Sequence, residues 1–156
     1  PETHFCLVGA GLTDGNPELV RILARRGITN SFHLLGPRDD VSKIYSSLDI
    51  FTLSSHSEAL PMVLLEAMAA ARPSVVTDVG DCRTMLGPSG VVVPTNDPRA
   101  MCEAWCQLLS ERGPALMERG RALQVRVSEH YSHKAFASQY EEAFRASVLT
   151  TRDVDT

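Results

Sequence analysis

Short apolar runs alternate with helical patterns along this chain of 156 residues. Continuous apolar runs that end at glycine, proline or polar residues predict strands at 5–8, 31–35, 50–53, 74–77 and 91–93. Apolar residues at helical spacing, with capping residues beside them, predict helices at 16–27, 39–47, 61–71, 82–86, 98–110, 114–130 and 133–148. The clearest start and stop are Asn16-Pro17 and Gly27, because Asn caps helix starts and Gly ends helices.

Strands that are apolar along their whole length are typical of parallel sheets covered on both faces. With helices between successive strands, the pattern predicts an α/β fold, a Rossmann-like doubly wound parallel sheet with helices on both faces. In such sheets ligands bind outside the carboxyl ends of the strands. We therefore expect the functional residues in the loops at 9–16, 36–40, 54–61 and 78–83.

Composition excludes several classes of function. The 15 basic and 19 acidic residues give a net charge of −4, so we expect no nucleic-acid partner. The longest apolar run, 60–65, is far shorter than the roughly 20 residues that span a bilayer. The four cysteines favour reduced thiols in a cytoplasmic protein, and Cys102 and Cys106 lack the two-residue spacing typical of zinc sites. We expect neither disulfides nor a bound metal.

The length of the chain fits one domain. It starts with Pro1-Glu2-Thr3-His4, without an initiator Met or a leader peptide, and we interpret it as a piece of a longer protein. We expect a single domain over 1–149 and a flexible polar tail over 150–156.

The segment 54–71 holds the most informative chemistry. Between Leu60 and Ala71 the only charged residue is Glu66, which predicts a helix buried on every side. An ionised carboxylate there is costly without a polar partner, so we expect one for Glu66. Pro61 sets the start of the helix, and Leu60 before it has no side-chain oxygen to cap the first amides. Those amides are therefore free to bind an anion such as phosphate.

The spacing of two glutamates supports this interpretation. Glu66 lies about five residues into the helix, roughly 7 to 8 Å along its axis. Glu58 stands just outside the helix start, so two carboxylates flank the predicted anion site. Carboxylates accept hydrogen bonds in pairs, which suits vicinal hydroxyls. A hydroxylated group, a phosphate and a second hydroxylated group, in that order, describe a nucleotide sugar.

Glu58, seven residues and then Glu66, within Ser-Glu-Ala-Leu-Pro-Met-Val-Leu-Leu-Glu-Ala-Met-Ala, resemble the signature of the group 1 (family 4) retaining glycosyltransferases of the GT-B fold. Further stretches are similar to that family in the same order, and they lie at 5–11, 32–36, 48–55, 77–81 and 90–98. The resemblance covers about residues 5–148. It implies the carboxyl-terminal, donor-binding domain of such an enzyme.

The resemblance also implies a role for each matching residue. Glu58 would bind hydroxyls of the donor sugar at the catalytic centre, and Glu66 would bind the ribose hydroxyls. The amides that would hold the sugar and the diphosphate belong to Ala59, Leu60, Met62 and Val63. The base would lie near Gly36, Pro37 and Arg38. No cofactor and no metal is implied, since the donor substrate is a nucleotide diphosphate sugar, UDP- or GDP-linked.

The sequence departs from the family at several positions. Ala59 and Met62 stand where the family often has Gly and a polar residue, and Asp81-Cys82-Arg83 replace the more usual Gly, Pro and Glu. These differences bear on which sugar is bound. The family's first strand and helix, whose loop brings an Arg and a Lys to the diphosphate, have no counterpart before Phe5.

The absent segments have consequences for partners. In the family strand order 3-2-1-4-5-6, the missing strand is central, so two strand edges are open to self-association or to exchange with another chain. The acceptor-binding amino-terminal domain of the parent is a further expected partner. Without it we expect the isolated chain to be inactive, and any membrane association of the cytoplasmic parent would lie in that domain.

Three other interpretations of the sequence have specific requirements. The glycines Gly9, Gly11 and Gly15 place the third one position too late for a dinucleotide fingerprint, and no acidic residue follows the second strand, which disfavours NAD. Half of a GT-B-type sugar-nucleotide epimerase would need an acid and base pair beyond Glu58. The third is a non-enzymatic nucleotide-binding or interaction module.

Large residues of the last helices are expected in the core, namely Trp105, Met117, Tyr131, Phe136, Tyr140 and Phe144.

Overall fold

The computed structural model describes residues 3–111 and 113–152 of the chain. The chain divides into two compact units, a smaller one that ends at Val41 and a larger one that starts at Ser42. Each strand ladder in the described residues is parallel, which confirms the predicted α/β class. Over the same residues, no helix combines the length and the apolarity that crossing a bilayer requires.

The smaller unit is one strand, helix, strand repeat. It contains β1 (Phe5–Val8), α1 (Pro17–Arg26) and β2 (Phe32–Gly36), with one 3-10 turn at Thr29–Ser31. The Asn16 side chain accepts a hydrogen bond from the Leu19 amide at 3.2 Å, and Gly27 ends α1 in the left-handed conformation with φ +66°. Both predicted helix boundaries are therefore confirmed.

The larger unit carries the remaining strands and α-helices, apart from Val41 at the start of α2, and one 3-10 turn at Gly87–Ser89. They are α2 (Val41–Ser47), β3 (Phe51–Leu53), α3 (Met62–Ala69), β4 (Ser74–Thr77), α4 (Cys82–Leu86), β5 (Val91–Val93), α5 (Pro98–Ser110), α6 (Gly113–His130) and α7 (His133–Arg152). The bounds of β4, α4 and β5 are the predicted ones. Helix α7 runs to Arg152, into the segment expected as a flexible tail, and residues 153–156 lie outside the described part of the chain.

Strand β4 is the centre of the sheet in the larger unit, whose order is β3-β4-β5. Val75 and Val76 point to opposite faces of the sheet because side chains alternate along a strand. Both are fully buried, so both faces of β4 are covered. On the Val75 face, α5 contributes Met101, Ala104 and Leu108 to one apolar cluster.

The strands form two sheets instead of one. Strand β1 pairs with β2, strands β3 to β5 pair with one another, and no ladder between described residues joins the two sets.

Helix α6 fixes the carboxyl end of α3. A Cβ atom at Gly120 would collide with the carbonyl oxygen of Ala71, so only glycine permits this approach of α6 to the turn after α3. The side-chain amide of Gln124 donates to the Ala69 carbonyl of α3 at 2.8 Å. Arg126 of the same helix donates to the Met85 carbonyl of α4 at 2.8 Å, which fixes α6 to a second helix. Helix α3 is therefore held at the end remote from Pro61.

The expected burial of the large residues in the last helices is only partly correct. Trp105 is half-buried and donates to the Thr52 hydroxyl at 2.9 Å, and Tyr131 is also half-buried. Four others are exposed, namely Met117, Phe136, Tyr140 and Phe144. The prediction was wrong for these four because helical spacing shows that residues share a face without showing that another element covers it.

Candidate functional site

The loop that follows β3 is held by β4. The Thr77 hydroxyl, at the end of β4, donates to the Ser55 carbonyl at 2.6 Å. The Ser55 hydroxyl in turn donates to Oε1 of Glu58 at 2.7 Å. Glu58 is half-buried, and this chain of hydrogen bonds orients its carboxylate at the carboxyl ends of the strands. The loop identified from the sequence therefore lies where a doubly wound fold binds its ligands.

The loop after β4 packs directly against the Glu58 loop. The Asp81 amide donates to the Ala59 carbonyl at 3.0 Å. Gly80 has φ +49°, and a Cβ atom there would collide with the carbonyl oxygens of Glu58 and Ala59. Gly80 is thus required on two grounds, its left-handed backbone and the close approach of two main chains. Sequence reasoning did not assign Gly80 this role.

Cys82 lies close enough to Glu58 to be affected by its charge. Its side chain is fully buried at the start of α4. Burial, with a further contribution from the negative charge of Glu58, raises the pKa of the Cys82 thiol. The thiol is therefore neutral at physiological pH and behaves as a small apolar side chain.

The amino-terminal end of α3 has no side-chain cap. Pro61 occupies the N-cap position, one residue later than predicted for the helix boundary, and no side chain bonds to the first turn. The Leu64 amide bonds to the Pro61 carbonyl at 3.0 Å, whereas Met62 and Val63 lie in the first turn, whose amides have no partner within a helix. Leu60, Met62 and Val63 are exposed. An uncapped helix end with an exposed apolar rim therefore lies next to Glu58 in the sequence.

The predicted burial of Glu66 is wrong, while the predicted polar partner is present. Glu66 is exposed, because α3 packs against β4 and α6 on one side only. Its Oε2 accepts a hydrogen bond from the Tyr45 hydroxyl at 3.0 Å. The run of apolar residues around Glu66 suggested burial on every side, but it includes residues such as Met62 that face solvent.

The predicted base-binding residues lie in the smaller unit. Gly36 ends β2 with φ +64°, and its amide donates to the Leu12 carbonyl at 2.9 Å while its carbonyl accepts from Gly9 at 2.9 Å. A Cβ atom at Gly36 would lie 2.9 Å from Cγ2 of Thr13, so the loop after β1 packs closely on this residue. The loops that follow β1 and β2 are thereby joined at the carboxyl ends of their strands.

Arg38 is paired with a carboxylate. Its Nε and Nη2 atoms donate to the two oxygens of Asp40 at 2.8 and 2.9 Å. These hydrogen bonds lower the pKa of Asp40. The guanidinium is thus already engaged, and Gly36 and the exposed Pro37 offer mainly main-chain groups at this position.

Metal ligands are not grouped in the described residues. No cluster of three or more His, Cys, Asp or Glu side chains suited to a metal ion is found in residues 3–111 and 113–152.

An exposed ion pair joins Arg83, on α4, to Asp78, in the loop after β4, at 2.7 Å. Arg83 belongs to the segment Asp81-Cys82-Arg83, in which the sequence departs from the glycosyltransferase pattern.

Comparison with known proteins gives a consistent family. The family model described as "Glycosyl transferases group 1" matches residues 1–111. The chain is 32% identical over 143 residues to the D-inositol 3-phosphate glycosyltransferase of Corynebacterium urealyticum, a match that covers 88% of this chain and 33% of that protein. It is 33% identical over 130 residues to the phosphatidyl-myo-inositol mannosyltransferase of Mycobacterium leprae, covering 80% of this chain and 34% of that one.

Solved structures show the same fold. The crystal structure of Anabaena Alr3699/HepE in complex with UDP superposes with a TM-score of 0.82 at 20% identity, over 94% of this chain and 42% of that chain. The same protein in complex with UDP-glucose superposes with a TM-score of 0.80. The chain thus spans about a third of the length of the curated relatives it matches. These matches favour neither an epimerase half nor a non-enzymatic module. The chain therefore belongs to the group 1 glycosyl transferases, with the fold of the carboxyl-terminal domain of a GT-B enzyme.

Proposed function

We propose that this chain is the donor-binding domain of a retaining glycosyltransferase that moves a sugar from a nucleotide diphosphate sugar to a hydroxyl acceptor. The observation that carries the proposal is the position of Glu58 and Glu66 on either side of the uncapped start of α3. Both residues lie in the larger unit, and each accepts a hydrogen bond from a protein hydroxyl on one carboxylate oxygen, Oε2 of Glu66 and Oε1 of Glu58.

The start of α3 suits the diphosphate. Its first amides and the helix dipole create a positive potential, which stabilises an anion at this end. Glu66 is the fifth residue of α3, about 6 Å along the axis from Met62. That separation suits a ribose at Glu66 when the diphosphate lies at the helix start. Glu58, before the helix, then meets the sugar.

Each predicted site residue takes one part of the donor. Glu58 binds hydroxyls of the sugar, and Glu66 binds the ribose. The amides that contact the sugar and the diphosphate are those of Ala59, Leu60, Met62 and Val63. For the base we propose the main chain of Gly36 and Pro37, near Arg38, in the smaller unit. The complexes of Anabaena Alr3699/HepE with UDP and UDP-glucose support a nucleotide sugar as the ligand class.

The chemistry follows from the charge on the leaving group. As the bond from the sugar to the diphosphate breaks, negative charge grows on the diphosphate, and the amides at the start of α3 stabilise it without a metal ion. The acceptor hydroxyl must be positioned by another part of the parent enzyme. We therefore propose that the chain alone binds the donor without transferring its sugar.

The test is an NMR titration of this chain with UDP, GDP, ADP and their sugar conjugates into the millimolar range. Binding of one nucleotide should shift the amide resonances of Leu60, Met62 and Val63. Glu66→Ala should weaken that binding by about 1.5 to 3 kcal/mol, the range for hydrogen bonds to a charged group.

Glu141→Ala is the matched control, since Glu141 is an exposed glutamate on α7. It should leave the affinity unchanged. Absence of binding by every nucleotide, or shifts confined to residues outside the α3 start, would overturn the proposal.

A further inference from the structure

The side chain of Tyr45 contacts Glu66. It lies on α2 and is only 9% exposed. Its ring packs edge-on against the ring of Phe51, with the centroids 5.9 Å apart and the planes at 63°. Its hydroxyl donates to Oε2 of Glu66 at 3.0 Å. Tyr45 is thus a buried, well-packed residue whose polar end reaches an exposed carboxylate.

This contact limits the freedom of Glu66. An exposed glutamate on a helix samples several rotamers, and ordering such a side chain costs conformational entropy. Tyr45 has two side-chain torsions and is packed in the core of the larger unit, so it is a rigid donor. A carboxylate that already accepts one hydrogen bond from such a donor has lost much of this freedom before a ligand arrives.

The hydrogen bond leaves acceptor capacity for a ligand. A carboxylate can accept about four hydrogen bonds, and Tyr45 uses one position on Oε2. The other oxygen, Oε1, and the remaining lone pair of Oε2 can accept hydrogen bonds from two vicinal hydroxyls. Burial, and to a smaller extent the hydrogen bond to Glu66, raise the pKa of Tyr45, so the phenol remains a donor throughout the physiological range.

Glu58 shows the same arrangement. Ser55 donates to one of its oxygens at 2.7 Å and leaves the other open. Each carboxylate of the site therefore accepts a hydrogen bond from a protein hydroxyl. Ser55 comes from the loop that carries Glu58, whereas Tyr45 comes from a different helix than Glu66.

We propose that Tyr45 is a positioning residue that orients Glu66 toward the 2′ and 3′ hydroxyls of a ribose and so makes the site selective for ribonucleotides. This inference rests on the proposed donor-binding function. The inference goes further because it assigns the selectivity to Tyr45 of α2, which acts through Glu66.

The test compares two ligands on this chain. The nucleoside diphosphate that binds best among UDP, GDP and ADP is titrated beside its 2′,3′-dideoxy counterpart, against the wild type and Tyr45→Phe. The substitution removes only the hydroxyl and keeps the ring on Phe51. Affinity for the ribonucleotide should fall about three- to tenfold, the effect of one hydrogen bond, while affinity for the dideoxy analogue stays constant.

Two further variants separate positioning from damage to the fold. Tyr140→Phe is the matched control, because Tyr140 is an exposed tyrosine on α7, and it should change neither affinity. In a Glu66→Ala background, Tyr45→Phe should have no further effect on the ratio of the two affinities. Urea unfolding of each variant checks that the fold is retained.

The outcomes distinguish the two proposals. A wild-type chain that binds none of the three nucleotides overturns the donor-binding function, and the role of Tyr45 with it. A wild-type chain that prefers the ribonucleotide, with an unchanged preference in Tyr45→Phe, overturns the role of Tyr45 alone. An equal loss for both ligands would also overturn it, because a general structural effect does not depend on the ribose hydroxyls.

Discussion

The two faces of α3 are built from similar residues and have opposite environments. Leu64 and Met68 are fully buried, whereas Met62 is 60% and Val63 is 41% exposed. The buried face packs on β4 and α6, and the exposed face carries Glu66. One helix thus combines a face that holds the fold together with an apolar face that is open to solvent.

The difference between the two faces shows that one apolar helix can both support the core and present a binding surface. Exposed apolar residues that lie beside carboxylates and free helix amides are typical of a binding surface. The buried face must then be rigid enough to hold the exposed one in place. Substitutions on the buried face should therefore lower stability, whereas substitutions on the exposed face should weaken ligand binding.

The largest effect on stability is expected at Leu64. Leu64→Ala removes a fully buried side chain and leaves a cavity between α3 and its neighbours. It should lower the free energy of unfolding by about 2 to 5 kcal/mol. Val63→Ala, one position away on the exposed face, should change it by less than about 1 kcal/mol. Urea unfolding of both variants measures the difference, and equal losses would contradict the assignment of the two faces.

A smaller effect is expected where α6 meets the end of α3. Gly120→Ala introduces a methyl group against the Ala71 carbonyl, and overpacking of this kind costs about 1 to 3 kcal/mol. The gain in helix propensity, about 1 kcal/mol, offsets part of it. Gly113→Ala is the control, since no atom lies near a Cβ at that position, and it should be neutral or stabilising. If both variants behave alike, α6 does not approach α3 as closely as described.

The smallest effect on stability is expected at Met62. Met62→Gln keeps the length and the helix propensity of the side chain but makes the exposed face polar. The free energy of unfolding should stay within about 0.5 kcal/mol of the wild type. Binding of the nucleotide sugar should nevertheless weaken, because an apolar contact surface has been lost. A calorimetric titration measures the affinity, and an unchanged value would remove the Met62 side chain from the binding surface.

The elements were predictable where local rules act alone. Strands β1, β4 and β5 have the predicted bounds, because short continuous apolar runs ended by glycine or polar residues leave little choice of register. Helix α1 was predictable from Asn16 and Gly27, whose capping roles depend only on neighbouring residues.

The site was predictable in part. Glu58 and Glu66 were identified from their spacing, yet the argument from the burial of Glu66 was wrong, since its exposure depends on which side of α3 is covered. Tyr45 and Gly80 were missed because their roles arise from contacts across the chain. Tyr45 lies 21 residues before Glu66, and no local pattern connects the two.

The sequence by itself determined the parallel α/β class, the element order and the pair of carboxylates around a helix start, because periodicity, capping and spacing are properties of neighbouring residues. The tertiary structure decided which face of α3 is buried, which hydroxyl holds each carboxylate and where only glycine fits. These outcomes depend on the elements that pack against one another, and an apolar residue has the same local pattern whether or not another element covers it.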